Sequence, residues 1–144
     1  MKFQKITPFL WFEKGAEDAA KFYTTVFRNA SITSSNPMVT TLEIEGMNIM
    51  LLNGGPTFKL NESFSLFISC DTQDEIDYYW NKLTADGGRE SMCGWLVDKF
   101  GLSWQVVPSV LGKLMSDPEK SGKVIEAFMK MKKFDIQKLE EAAG

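Results

Sequence analysis

The stretch that decides the fold is GLSWQVV, residues 101–107, because the chain contains the same pattern earlier, as GMNIMLL at residues 46–52. Each stretch is a glycine followed by a run rich in large apolar, aromatic or β-branched side chains, which predicts a strand. Pro108 ends the second run, and Met50 occupies in the first run the place of Gln105 in the second. The two runs align at a shift of 55 residues, from Gly46 to Gly101, which indicates an internal duplication.

The segments before these two strands follow the same order in both halves of the chain. The first half predicts a strand, a helix and three further strands, over residues 5–12, 16–27, 31–34, 38–45 and 47–52. The second half predicts the same order, over residues 63–70, 72–85, 89–93, 95–99 and 102–107. In the first helix, helical spacing joins an apolar stripe of Ala16, Ala19, Tyr23, Val26 and Phe27. We therefore expect two βαβββ modules, at about residues 3–56 and 61–109.

The residues after the second module predict helices, at about residues 110–142. Asp117-Pro118 places a capping side chain before a proline at the first helical position. Asp135 begins a second short helix, which carries Ile136 and Leu139. The apolar stripes of these helices fit the sheet of the same chain or that of a partner chain equally well.

Length and composition limit the classes of protein to which the chain can belong. The chain has 144 residues, 44% hydrophobic and 24% charged residues, and a net charge of −3. This is the composition of one soluble globular domain, 1–144, without the basic surface that binds nucleic acid. The N-terminal residues MKFQKITPFLWF lack the apolar stretch of a signal peptide, and no run of eighteen apolar residues occurs. We expect a cytoplasmic protein that does not contact a membrane.

The chain contains no histidine. A Ser-His or Cys-His nucleophile pair, an imidazole zinc site and a histidine general base are therefore excluded within this chain. The glycine patterns of phosphate-binding loops are also missing, because Gly54-Gly55 is followed by Pro56. Nucleotide-dependent mechanisms are accordingly disfavoured.

Four segments carry a resemblance to a known family: ITPFLWFEKGAEDAAKFYTTVF at 6–27, MLLNGGP at 50–56, DYYWNKLTADGG at 77–88, and CGWLVDKFGLSWQVVPSVLGKLMSDPEKSGKVIEAFMKMKKFDI at 93–136. With the two modules, they resemble the PhnB-like group of the vicinal oxygen chelate superfamily, which includes glyoxalase I, extradiol dioxygenases and bleomycin-resistance proteins. The resemblance implies an α+β fold, in which two tandem βαβββ modules form a curved mixed sheet with a C-terminal helical extension. It also implies a homodimer.

In the metal-dependent members, as the resemblance implies, four side chains from the first, fourth, fifth and eighth strands hold a divalent ion. The corresponding positions here are Thr7, Met50, Ser65 and Gln105. Hydroxyl, thioether and amide groups carry no charge and are poor ligands for such ions. We therefore predict that the protein binds no metal and needs no cofactor.

Strand alternation predicts which side chains share the sheet face that points away from the helices. Its members are mostly apolar with a few polar tips, the usual composition of a small-molecule pocket. They are Thr7, Phe9, Trp11, Met50, Leu52, Ser65, Phe67, Ser103, Gln105 and Val107, with Trp95 added as a pocket lid or a packing anchor. The alternative is that the aromatic residues are packed core and that the polar residues bond to one another.

Gln105 is the residue on which these alternatives differ most. It lines a pocket, or it is a structural amide bonded to neighbours such as Ser65, or it faces solvent. A buried amide without a partner costs about 1–3 kcal/mol, so we expect a partner of some kind.

Few residues are candidates for chemistry. Glu13, Glu45 and Asp98 lie near strand ends, where carboxylates are usually solvated turn residues. Cys70 ends an apolar run and is expected to be a small buried hydrophobe. Cys93 precedes Gly94 and is a possible reactive thiol, and no structural disulfide is expected. The catalytic residues, if any exist, are not identified by the sequence.

The sequence therefore favours a metal-free protein that binds an unidentified small molecule as a homodimer. An enzyme is the first alternative, as in the family label 3-demethylubiquinone-9 3-methyltransferase. The sequence lacks a glycine-rich strand-to-helix turn for S-adenosylmethionine, which counts against that label. A structural or regulatory dimer without a ligand is the second alternative.

Overall fold

The computed structural model describes residues 4–144, so the predicted start of the first module at residue 3 lies outside the described residues. The helices and strands are β1 (Phe9–Phe12), α1 (Ala16–Val26), β2 (Ala30–Ser35), β3 (Val39–Ile44), β4 (Met47–Asn53), β5 (Ser65–Cys70), α2 (Gln73–Thr84), β6 (Arg89–Glu90), β7 (Trp95–Val97), β8 (Ser103–Pro108), α3 (Val110–Met115), α4 (Pro118–Phe128) and α5 (Ile136–Ala143).

Each half of the chain forms its own four-stranded mixed sheet, and the two sheets have the same topology. The strand order is β1-β4-β3-β2 in module 1 and β5-β8-β7-β6 in module 2. The first strand pairs in parallel with the fourth in each module, and the remaining pairs are antiparallel. The predicted α+β fold with duplicated βαβββ modules is confirmed. The chain divides into two compact units, one up to Leu60 and one from Asn61 that includes α3, α4 and α5, and the expectation of a single domain stays a prediction.

Module 1 buries one face of its sheet against α1. The predicted stripe of α1 is confirmed, because its five residues are buried. Leu10, Leu42, Ile49 and Leu51 are buried on the strands, as alternation requires. At the start of α1 the N–H of Ala16 donates to Oδ1 of Asn53, 2.9 Å away on β4.

The hairpin between β3 and β4 sets the register of module 1. Its two turn residues, Glu45 and Gly46, have φ values of +47° and +82°. Two left-handed residues in sequence are typical of the type I′ turn that connects twisted antiparallel strands. The resulting register places Met50 opposite Thr41 on β3 and opposite Phe9 on β1.

Strand β1 begins at Phe9 rather than at Lys5, so the prediction of a longer strand is wrong and Thr7 precedes the strand. Pro8 explains the difference, because it has no N–H to donate to a sheet. The chain before Pro8 is held by side-chain hydrogen bonds instead of strand pairing. The side-chain amide of Gln4 donates to the carbonyl of Asn48 at 2.8 Å and accepts from its N–H at 2.9 Å.

Module 2 packs α2 on its sheet in the same way. Ile76, Trp80 and Leu83 of α2 are buried, as are Trp104 and Val106 of β8. The strand predicted at 89–93 is wrong beyond Glu90. The chain turns there instead, because two left-handed residues, Cys93 and Gly94, lie ahead of β7.

The C-terminal helices form one compact unit with module 2 and pack mainly on one another. Asp117 caps α4 by accepting from the N–H of Glu119, and Asp135 caps α5 by accepting from the N–H of Lys138, which confirms both predicted helix starts. Between the two helices, Phe134 is buried. Over residues 4–144, no helix is long and apolar enough to cross a membrane.

Candidate functional site

Gln105 lies at the centre of the module 2 sheet, on the face opposite α2. Its Cα partners are Phe67 on the parallel neighbour β5 and Trp95 on the antiparallel neighbour β7. Because side chains alternate along a strand, the buried Trp104 on β8 points the other way. The Nε2 of Gln105 donates a hydrogen bond to Oγ of Ser65 at 3.0 Å. The expected partner of the amide therefore exists within the module.

The sheet face around Gln105 is most exposed to solvent at one side chain, that of Phe67. Phe67 is 60% exposed although it stands in the middle of a strand. Ser65, Trp95 and Gln105 are half-buried. An exposed apolar ring indicates an interaction surface where it is part of a larger patch, because isolated ones are common on protein surfaces.

Two predicted members of this face are buried, one on each side of Gln105 along β8. Val107 is buried, and Ser103 is only 1% exposed. The Oγ of Ser103 has no hydrogen-bond partner within residues 4–144. Ser103 therefore lies in the packed interior of the protein, while Gln105 between the two reaches the surface.

Module 1 repeats the exposed phenylalanine at the equivalent position. Phe9 is 52% exposed, and its Cα partner Met50, the counterpart of Gln105, is half-buried. Leu52 is also half-buried. The duplication has thus kept an accessible ring beside the closing strand of each sheet, with a thioether neighbour in module 1 and an amide neighbour in module 2.

Trp11 is held by the loop that follows β4. Its Nε1 donates to the carbonyl of Gly55 at 2.9 Å, and its ring meets Phe58 edge-on at 5.0 Å between centroids. A Cβ on Gly54 would overlap the Trp11 ring. The loop covers much of this side chain, so Trp11 contributes to packing more than to an open face.

The residues at the four positions of the superfamily's metal ligands do not fit a divalent ion. In module 2, Ser65 and Gln105 are uncharged and already bonded to each other. In module 1, Thr7 precedes the strand and Met50 offers a thioether. Within residues 4–144 there is also no group of three or more His, Cys, Asp or Glu side chains that could hold a metal ion.

Asp98 is buried, at 3% exposed, so its predicted place as a solvated turn residue is wrong. Its Oδ1 accepts from the N–H groups of Phe100 and Leu102, at 2.8 and 3.1 Å, and its Oδ2 accepts from Nε1 of Trp104 at 2.8 Å. Hydrogen bonds of this kind compensate the burial of a carboxylate. Asp98 thus fixes the connection between β7 and β8. Glu13 and Glu45 are exposed, as predicted.

The two cysteines are free thiols in different surroundings. Cys70 is buried as predicted, and burial, with smaller contributions from Glu75 and Asp71, raises the pKa of its thiol to about 12. Cys93 is half-buried, and its Sγ donates to Sδ of Met129 at 3.9 Å. Its reactivity stays a prediction.

Gln73, the first residue of α2, is a bonding residue that the sequence pattern did not predict. Its Nε2 donates to the carbonyl of Phe134 at 2.9 Å, and its Oε1 accepts from the N–H of Ile136 at 2.9 Å. A groove of about 820 Å³ lies beside these contacts, lined by residues of 71–77 and 130–140. None of the predicted site residues lines this groove. The contrast between a glutamine here and Ala16 at the start of α1 was the available signal.

Comparison with known proteins agrees with this fold. The chain is 32% identical to a putative 3-demethylubiquinone-9 3-methyltransferase, PhnB protein, from Bacillus cereus, with a TM-score of 0.64 over 72% of this chain and 99% of that one. Protein PA1353 from Pseudomonas aeruginosa is 20% identical, with a TM-score of 0.61 over 74% of this chain and 98% of that one. The fosfomycin resistance protein FosX from Listeria monocytogenes is 12% identical, with a TM-score of 0.54 over 75% of this chain and 92% of that one. No curated protein sequence matched the chain.

The family match covers both modules and ends before the C-terminal helices. Residues 4–107 match the family described as 3-demethylubiquinone-9 3-methyltransferase. This range contains both exposed phenylalanines and the pair formed by Ser65 and Gln105. The chain therefore belongs to this PhnB-like family, and it shares the fold of the fosfomycin resistance protein FosX.

Proposed function

We propose that the protein binds a small, neutral, partly apolar molecule without a metal, on the sheet face that carries Phe67 and Gln105. The observation that carries this proposal is the exposed ring of Phe67 next to an amide that is only partly engaged. Small-molecule sites commonly combine apolar walls with a few oriented polar groups. Phe67 supplies the apolar surface, and Gln105 supplies the oriented group.

The hydrogen bond to Ser65 determines what Gln105 offers a ligand. It uses one N–H of the amide and holds the side chain in one orientation. A glutamine amide has two N–H donors and one carbonyl acceptor, so the hydrogen bonds formed among residues 4–144 leave one donor and the acceptor for a ligand. The immediate neighbours Ser65, Phe67 and Trp95 are uncharged. A ring that bears an amide or hydroxyl group suits this face better than a carboxylate does.

Methyl transfer, the activity in the family description, receives no support from the helix starts that would hold a methyl donor. In α1 the first N–H is bonded to Asn53, and in α2 Thr72 accepts from the N–H of Glu75. Glu75 in turn accepts from the N–H of Asp71. Side chains of the protein thus occupy N–H groups that a bound nucleoside or carboxylate would use.

The homodimer remains part of the proposal, and light scattering at tens of micromolar protein tests it.

The binding proposal is tested by nuclear magnetic resonance titration with benzamide and benzoate. We expect benzamide to shift the side-chain amide resonances of Gln105 and the ring resonances of Phe67, with the weak affinity of a fragment. Benzoate is expected to shift them less, because no cation lies beside Gln105 on β5 or β7. The variant Phe67→Ser should lose the benzamide shifts.

Phe64→Ser is the matched control, because Phe64 is also exposed but precedes β5. It should keep the benzamide shifts. If benzamide, benzyl alcohol and cyclohexanecarboxamide all leave the Gln105 resonances unchanged, the proposed face is wrong. Elemental analysis of the purified protein is the companion test, and one zinc, nickel, iron or manganese ion per chain would contradict the metal-free part of the proposal.

A further inference from the structure

The C-terminal tail crosses module 2 as a strap, residues 131–136, and its first two residues bond to the chain just before β7. The carbonyl of Met131 accepts from the N–H of Cys93, and the carbonyl of Lys132 accepts from the N–H of Gly94, both at 2.8 Å. The strap therefore satisfies two N–H groups that lie between β6 and β7 and that the strand pairing does not use.

The other end of the strap is held by α2. Gln73 bonds to Phe134 and Ile136 through both ends of its amide, as described above. Just before Phe134, Nζ of Lys133 lies 2.8 Å from Oδ1 of Asp77. The ring of Phe134 covers Gly94 so closely that a Cβ there would overlap it. The strap thus contacts both α2 and the turn before β7.

That turn, residues 92–95, has two central N–H groups that its own closing hydrogen bond does not use. Cys93 and Gly94 have φ values of +58° and +80°, and the N–H of Trp95 closes the turn on the carbonyl of Met92 at 3.1 Å. The left-handed region is unfavourable for a residue with a Cβ and persists where the surroundings impose it. Here carbonyl groups of the strap accept hydrogen bonds from both central N–H groups of the turn.

The turn leads directly into the candidate ligand face. Gly94 accepts at its carbonyl from the N–H of Val106 at 2.8 Å, and the next residue, Trp95, is the Cα partner of Gln105. A change in the turn therefore moves the start of β7 relative to β8. Trp95 is the side chain that would move first.

We infer that the C-terminal strap is a conformational device that controls the candidate ligand face of module 2. When residues 131–136 are docked, they hold the turn of residues 92–95 and keep Trp95 beside Gln105. When the strap is released, the turn relaxes and Trp95 leaves its place. The consequence for binding rests on the proposed function, whereas the release of the turn does not depend on any ligand.

Thiol labelling measures strap release without a ligand. Cys93 lies in the turn with its Sγ against Met129, whereas Cys70 is buried with a raised thiol pKa. Iodoacetamide should therefore modify Cys93 in the folded protein and spare Cys70. Gln73→Ala removes two hydrogen bonds that hold the strap, and we expect it to raise the labelling rate of Cys93 about tenfold through a larger released fraction.

Gln137→Ala is the matched control, since it removes the same amide from α5. Within residues 4–144, the side chain of Gln137 bonds only to Glu141, by a hydrogen bond of 3.2 Å. Its labelling rate should stay within about twofold of the unchanged protein, as expected for an exposed surface substitution. Equal Cys93 labelling in Gln73→Ala and Gln137→Ala would overturn the inference. So would a parallel rise in Cys70 labelling, because that result indicates global unfolding rather than release of the strap.

The position of Trp95 is followed separately, by fluorine resonances of protein made with 5-fluorotryptophan. The Trp95 resonance, assigned from Trp95→Phe, should shift in Gln73→Ala, while the Trp11 resonance of module 1 should not. An unmoved Trp95 resonance together with faster Cys93 labelling would contradict control of the ligand face. Failure of benzamide binding leaves both readouts unaffected, so the two proposals fail independently.

Discussion

The side-chain amide of Gln105 donates a hydrogen bond to the hydroxyl of Ser65, 3.0 Å away on the parallel neighbouring strand. Both residues are half-buried, so the bond is partly shielded from water. Gln105→Leu removes the donor but leaves Ser65 able to meet solvent. We expect the free energy of unfolding to fall by about 0.5–1.5 kcal/mol, the usual net contribution of such a bond.

Urea unfolding of Gln105→Leu, Ser65→Ala and the double variant measures this bond as a coupling energy. A coupling of about 0.5 kcal/mol or more is expected from the contact. A coupling near zero, with both single variants as stable as the unchanged protein, would mean that the bond adds nothing and that Gln105 is kept for binding alone.

Asp98→Asn tests the buried carboxylate at the start of the β7–β8 connection. The substitution replaces one acceptor oxygen by an N–H₂ donor that faces donors from Phe100, Leu102 or Trp104. We expect the free energy of unfolding to fall by about 2–4 kcal/mol, because hydrogen bonds to a charged group are lost and a buried donor is left unpaired. Glu13→Gln, at an exposed carboxylate, should change stability by less than about 0.5 kcal/mol. Equal stability of the two variants in urea would contradict the role assigned to Asp98.

The duplicated fold could be predicted from the sequence because its signals are local and periodic. The apolar stripe of α1 follows helical spacing, and Glu45-Gly46 and Gly101 interrupt alternating strands. The errors arose where a single backbone feature outweighed the pattern. Pro8 ends pairing ahead of β1, and the left-handed residues Cys93 and Gly94 replace the end of a predicted strand.

The candidate site was less predictable because side-chain environment depends on contacts that are distant in sequence. Alternation placed Ser103 and Gln105 on one face, yet Ser103 is buried and Gln105 is not. Asp98 is buried because the loop that it fixes supplies the N–H groups that compensate it. The apolar stripes of the C-terminal helices predicted burial but not the partner, and the bonds between Gln73 and the strap were not foreseeable from spacing.

Gly54→Ala tests the contact between the loop after β4 and Trp11. A Cβ at position 54 would overlap the indole ring, so the loop or the ring must move. We expect the free energy of unfolding to fall by about 1–3 kcal/mol, the usual cost of overpacking.

Gly122→Ala is the matched control, because a Cβ at this exposed position in α4 meets open space. It should stabilise the protein by about 0.5–1 kcal/mol through helix propensity. Thermal unfolding of both variants measures the difference, and a stabilising Gly54→Ala would show that the loop does not pack on Trp11.

The ion pair between Lys133 and Asp77 gives the strap a small dependence on pH. The hydrogen bond from Lys133 is the main cause that lowers the pKa of Asp77 below its ordinary value of 3.8. The second cause is the bond that Nε2 of Gln73 also donates to Oδ1 of Asp77, at 3.1 Å. A carboxylate whose folded pKa is lowered stabilises the fold above its unfolded pKa, and this stability is lost as the pH falls through the folded pKa. Both side chains are more than a third exposed, so the contribution is at most about 1 kcal/mol.

Lys133→Met should therefore be slightly less stable than the unchanged protein at neutral pH, and the difference should shrink as the pH falls below 3.8. Thermal melts of both proteins across this range measure the effect, and a stability difference that grows on acidification would contradict the assigned role of the pair.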